Sequence, residues 1–203
     1  MAKHMPLTRR SMIALTLAVA APAAPALALS TTEAERFMVG VVGDLRGLID
    51  SGASGAEGAE RFLAILEEKA AIDQVAKFAL GRNWRAMSDA QQSAYLTAFR
   101  GYMSRTYARR FNEYSGEDIV VDGSVDAGRK GVLVNSTLVR PNAQNVTVEW
   151  LVTDRLGPPK LADIVFEGVS LSITLREVFG GMVEKRGGDI DQFIADLNAQ
   201  DGA

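Results

Sequence analysis

The chain has 203 residues, 47% of them hydrophobic, with 22 Lys and Arg against 25 Asp and Glu. That is length enough for one domain with its own core, and the acidic balance argues against a nucleic-acid partner, whose phosphates need clustered cations. There is no cysteine and one histidine, His4, so disulfides and thiolate metal sites are excluded, and imidazole chemistry leaves with the leader described next.

Residues 1–28 read as a signal peptide. Lys3, Arg9 and Arg10 precede an alanine-rich apolar run from Met12 to Leu29 that ends in the small-x-small site Ala26-Leu27-Ala28, with no acid before it. The Arg9-Arg10 pair after Thr8 suggests the twin-arginine export route. A membrane anchor is the competing reading, and Pro22, Pro25 and the weak hydrophobicity of alanine count against it. Removal of this segment leaves 19 basic and 25 acidic residues, net −6, in a single expected domain over 29–203.

Four helices are predicted next. Ser30-Thr31-Thr32-Glu33-Ala34-Glu35 offers two overlapping Ser/Thr-x-x-Glu capping boxes before Phe37, Val41, Val42, Leu45, Leu48 and Ile49, which recur at helical spacing. Glu57 to Lys69 repeats the pattern with Phe62, Ile65 and Leu66, and Ile72, Val75, Phe78 and Ala79 mark a short helix that Gly81 ends. Ser88-x-x-Gln91 opens the longest helix, expected to reach about Tyr114, with Tyr95, Leu96, Phe99, Tyr102, Met103, Tyr107 and Phe111 as an aromatic stripe. Its other face carries Arg100, Arg105, Arg109 and Arg110, either solvated or, on an acidic protein, a patch for an acidic partner or lipid head groups.

After Gly116 the period falls to two. Ile119–Val125, Gly131–Val139 and Val146–Thr153 are rich in β-branched residues and are separated by turns, and Leu161–Phe166 completes a four-stranded antiparallel meander. Gly168 breaks the last strand, Ser170 or Ser172 caps a helix striped by Leu171, Leu175, Val178, Phe179 and Met182, and a closing helix runs from Asp189 to about Ala199. The expected fold is α+β, with helices packed on one face of a curved sheet.

Two separated stretches carry a family resemblance: Phe78-Ala79-Leu80-Gly81-Arg82-Asn83-Trp84-Arg85, and Asp163-Ile164-x-x-Glu167-Gly168-Val169-Ser170-Leu171 followed by Arg176 and Phe179. With the aromatic helix between them, the sequence resembles the MlaC family of periplasmic phospholipid-binding proteins, also called the toluene-tolerance or Ttg2D family. The resemblance implies a non-enzymatic carrier that shuttles phospholipid between the outer membrane and an inner-membrane ABC transporter, maintaining outer-membrane lipid asymmetry. Its implied partners are the transporter complex with its MCE-type subunit and an outer-membrane lipoprotein complex. No cofactor, metal ligand or catalytic residue is assigned.

An apolar lipid cavity between helices and sheet is expected to be lined by Phe78, Trp84, Tyr95, Phe99, Tyr102, Val134, Val148, Trp150, Ile164, Phe166, Val169 and Phe179. Each of these also reads as ordinary core. Aspartate at Val148 or Val169 is expected to abolish lipid copurification and leave secretion intact. Asp163, Glu167 and Arg176 either fix the strand-to-helix junction or sit near a lipid head group. Two other functions stay open: a carrier of hopanoid or another lipid, and a carboxylate hydrolase using Asp163 and Glu167. On an extended strand those two stand roughly 13 Å apart, too far for a glycosidase pair.

Overall fold

A computed structural model describes residues 29–111 and 117–199; the expected leader over 1–28 lies outside them. α1 (Thr31–Asp50) opens on the first of the two expected boxes, Ser30 Oγ accepting from the Glu33 N–H at 3.3 Å while the Glu33 carboxylate takes the Ser30 N–H at 3.0 Å. The Ser30 hydroxyl, donating to that carboxylate at 2.6 Å, and then the Ser30 N–H hold the Glu33 carboxyl below its ordinary range. α2 spans Gly55–Lys69 and α3 Ile72–Leu80. Gly81 ends α3 at φ 59°, but the chain re-enters a helix at once, α4 (Arg82–Ala86), which the short pattern around Trp84 did not announce. α5 (Asp89–Phe111) starts at Ser88, whose Oγ accepts the Gln91 N–H at 3.3 Å while Gln91 Oε1 accepts the Ser88 N–H at 3.1 Å.

The sheet comprises β1 (Asp118–Asp126), β2 (Val132–Val139), β3 (Val146–Thr153), β4 (Lys160–Phe166) and β5 (Val169–Ser170), ordered β1-β2-β3-β4-β5 and antiparallel throughout. The expected four strands gain a fifth because Glu167 (φ 47°) and Gly168 (φ 82°) form a two-residue turn, pairing Phe166 with Val169 and Val165 with Ser170. Positive φ at both central positions is the hairpin-forming geometry, and glutamate at the first of them hides it from a sequence reading that looks for Asn-Gly or Asp-Gly. Register shifts in β1 between Val121 and Gly123, and opposite Leu151 and Val152 in β4, bend the sheet. The α2–α3 linker joins the β4 edge through a parallel bridge, Ala70 to Leu161, and the Ala71 N–H donates to the Leu161 carbonyl at 2.8 Å.

One sheet face packs on α1, where Ala34, Met38 and Val41 meet Val132, Val134, Val148, Trp150, Val152 and Leu161. Ser136 is the polar member of that face. Its Oγ accepts the Trp150 Nε1–H at 2.8 Å and donates to the Val148 carbonyl at 2.9 Å. Ser136→Ala leaves the indole N–H buried without an acceptor and is expected to lower stability by about 1–3 kcal/mol, read from urea denaturation. Trp150→Phe in the same background should cost little more. A single variant as stable as wild type would show that the indole finds another partner.

The other core is helical. α3 and α5 enclose it with α6 (Leu171–Lys185) and α7 (Ile190–Ala199), and its centre is a ring cluster in which Phe179 lies 6.0 Å from Phe99, 5.4 Å from Tyr102 and 5.5 Å from Phe193. Tyr95 donates its hydroxyl to the Ala76 carbonyl at 2.8 Å, and burial pushes that phenol far above its ordinary pKa, so it stays neutral. Leu48, Phe62 and Ala108 join α1, α2 and α5 in a smaller cluster. Two of the four α5 arginines are engaged by neighbouring elements: Arg100 reaches Asp73 at 2.6 Å, and Arg105 donates to the Leu197 carbonyl at 2.7 Å. The side chains of Arg109 and Arg110 lie outside the described set. Among the described residues no helix is long and apolar enough to cross a membrane.

Candidate functional site

β4 and its continuation into α6 bring the sheet core and the helical core side by side. The junction is fixed by Asp163, whose Oδ1 accepts the Ile164 N–H at 2.9 Å and the Ser172 N–H at 3.0 Å while Oδ2 takes the Ser170 hydroxyl at 2.5 Å. Ser170 Oγ in turn accepts the Ile173 N–H at 3.2 Å, capping α6. The carboxylate therefore ties strand to helix. Glu167 lies exposed on the hairpin turn, and Arg176 stacks over the Phe78 ring at 5.1 Å, so these three residues do not assemble into one ionic site.

Where the two cores meet, a seam leaves a cavity of about 50 Å³. Its helical wall is Leu66, Ile72, Val75, Phe99, Met103 and Leu171; its sheet-side wall is Leu161, Ala162 and Ile164. The polar side chains at its edge, Asp163 and Ser172, belong to the junction just described. Apart from those two the lining is apolar, able to shed water and hold hydrocarbon.

The twelve residues expected to line a cavity are distributed over four environments. Phe99 and Ile164 lie on the seam cavity itself. Tyr95 and Phe179 sit fully buried in the helical core with Trp84 and Tyr102 packed against it, and Val134, Val148 and Trp150 are buried in the sheet core. Phe78, Phe166 and Val169 are surface residues, 44%, 45% and 62% exposed. Phe166 and Val169 are paired at the hairpin end of β4, and Phe78 lies beneath Arg176. Sequence reasoning passed over Leu66, Ile72, Val75, Leu161 and Leu171 as seam residues. Their spacing says only that each faces an interior, and which interior depends on how the α2–α3 linker meets β4.

A family model described as MlaC protein matches residues 49–199. Among solved structures, the phospholipid-binding protein from Ralstonia solanacearum, determined in complex with a phospholipid, superposes with a TM-score of 0.67 at 22% sequence identity, covering 87% of this chain and 100% of its own. At that identity the likeness is one of fold.

Proposed function

We propose, taking as premise that the chain belongs to the MlaC family, that it is a phospholipid carrier holding acyl chains in the seam between its sheet and its helices. The observation that carries this reading is the seam itself, an apolar boundary between two separately packed cores. A lipid in a bilayer is already out of water, so a carrier must present an equally apolar sleeve. Otherwise about 0.8 kcal/mol for every exposed CH₂ holds the lipid in the membrane. The cavity of about 50 Å³ is well below the roughly 300–1,000 Å³ that encloses small ligands, so acyl chains enter by parting the two cores. The apolar walls opened in this way are covered again by the lipid's own methylenes, and buried area is exchanged instead of lost.

The family and the leader read in the sequence support a wider role: a periplasmic shuttle between the outer membrane and an inner-membrane ABC transporter. In this reading it takes lipid at one end from an outer-membrane lipoprotein complex and meets an MCE-type subunit at the other, maintaining lipid asymmetry. The phospholipid bound to the Ralstonia solanacearum relative supports that cargo class. Mass spectrometry of organic extracts from protein purified without detergent tests it, with stoichiometric phospholipid expected. Hopanoid instead would keep the mechanism and change the pathway. Protein that is repeatedly empty and takes nothing from liposomes would overturn the carrier reading.

Ile164→Asp tests the seam directly. Ile164 is only partly buried, so the new carboxylate can remain hydrated while the chain is folded, yet it faces the hydrocarbon once lipid is bound. Copurifying lipid is expected to fall at least tenfold, which needs only about 1.4 kcal/mol against binding, with the circular dichroism melt close to wild type. Undiminished lipid in a folded variant would place the sleeve elsewhere.

A further inference from the structure

Arg82 and Arg176 flank a groove of about 640 Å³ between the α3–α4 corner and α6. Neither guanidinium makes an ion pair or hydrogen bond among the described residues. Arg176 is nevertheless held in place, lying over the Phe78 ring at 5.1 Å and against Gly81, where a Cβ would come within 3.2 Å of its Nη2. Its fork of N–H donors is left without an acceptor among the described residues. Beside it, Lys77 sits 5.3 Å from the Trp84 ring centroid, a second cation seated on an aromatic face, and Arg85 is exposed on α4. Glu184 is the acid in the groove lining, so this face is cationic in a chain whose net charge is −3.

We propose that this groove docks an acidic segment of a partner protein, with carboxylates taken by Arg82 and Arg176. Unpaired guanidinium groups match the planar, two-point geometry of a carboxylate. The shape selects a protein segment over a membrane surface. The lining includes Ala79, Gly81, Gly180, Gly187 and Gly188, a floor low enough for another backbone to approach, whereas a bilayer is flat on this scale. The site is independent of lipid carriage, for it lies outside the seam.

Fluorescence anisotropy of a labelled hexaglutamate peptide, titrated at low salt with the whole exported chain, tests the proposal. Saturable binding that weakens with added salt is expected. The Arg82→Glu and Arg176→Glu double variant should bind about tenfold more weakly. Arg129→Glu with Lys130→Glu, the same charge change on the β1–β2 turn, should bind like wild type. Gly180→Trp fills the groove without changing charge. A Cβ at Gly180 meets nothing within 4 Å and the position is an exposed helical one, so the variant should fold and still lose binding. Equal losses in the two charge-reversed variants would overturn the proposal. So would phosphatidylglycerol vesicle binding that is lost with Arg82→Glu and Arg176→Glu but survives Gly180→Trp, which would make the face a membrane contact.

Discussion

Val148→Asp is expected to cost the protein its fold and not merely its lipid. Val148 is 1% exposed on the inner face of β3, beside Ser136 and Phe166 in register and within the cluster that Met38 and Trp150 share. A carboxylate there has no cation or free donor to meet: the Ser136 hydroxyl already donates to the Val148 carbonyl. Burying it unpaired, with the loss of valine's packing, should cost about 4 kcal/mol or more, against a total stability on the order of 5–15 kcal/mol. Secretion and circular dichroism read the result, and a variant exported at wild-type levels with an unchanged melt would show that Val148 faces accessible space. Val169→Asp separates the two effects. At 62% exposure it should keep stability within about 0.5 kcal/mol, so any lipid lost there is lost from binding.

Phe179→Ala should be nearly as damaging from the opposite core. The ring is fully buried and meets Phe99, Phe193 and Tyr102 in T-shaped contacts, the last at 5.4 Å. Truncation removes its transfer free energy and opens a void between α5, α6 and α7 that rigid rings cannot collapse into, an expected loss of about 3–5 kcal/mol. Denaturant midpoints measure it. Phe179→Leu should recover part of that loss, and a variant within 1 kcal/mol of wild type would mean that the helices close over the gap.

The contrast between these two positions shows what could be read from the sequence. Capping boxes at Ser30 and Ser88 are local chemistry, in which the same residues that signal the helix also make its first hydrogen bonds, and both stand in the structure as written. The strand period was legible for the same reason, because alternation is a property of one strand and its two faces. The seam is not local. Phe99 and Tyr95 occupy one stripe of one helix, yet Phe99 reaches the boundary with β4 and Tyr95 turns into the helical core toward Phe193. Leu161 and Ile72 come together only because the α2–α3 linker bonds to the β4 edge, a contact between segments far apart in the chain. Hydrophobic pattern identifies a buried face, and only tertiary pairing decides whether that face meets packed side chains or a place where they can be parted.

The same linker has a consequence for solubility at high concentration. An open sheet offers two rows of unpaired backbone groups on which another molecule's strand can grow. Along β4 that row is taken up near Leu161 by Ala70 and Ala71 and at the far end by β5, so little of it is left to template aggregation. The β1 edge is defended differently. Asp118, Asp122 and Asp126 are spaced along it, and the irregularity at Gly123 spoils a flat approach. A second copy laid antiparallel on β1 would bring like charges together across the new pair, so the sheet is guarded at both edges against polymerising through its backbone.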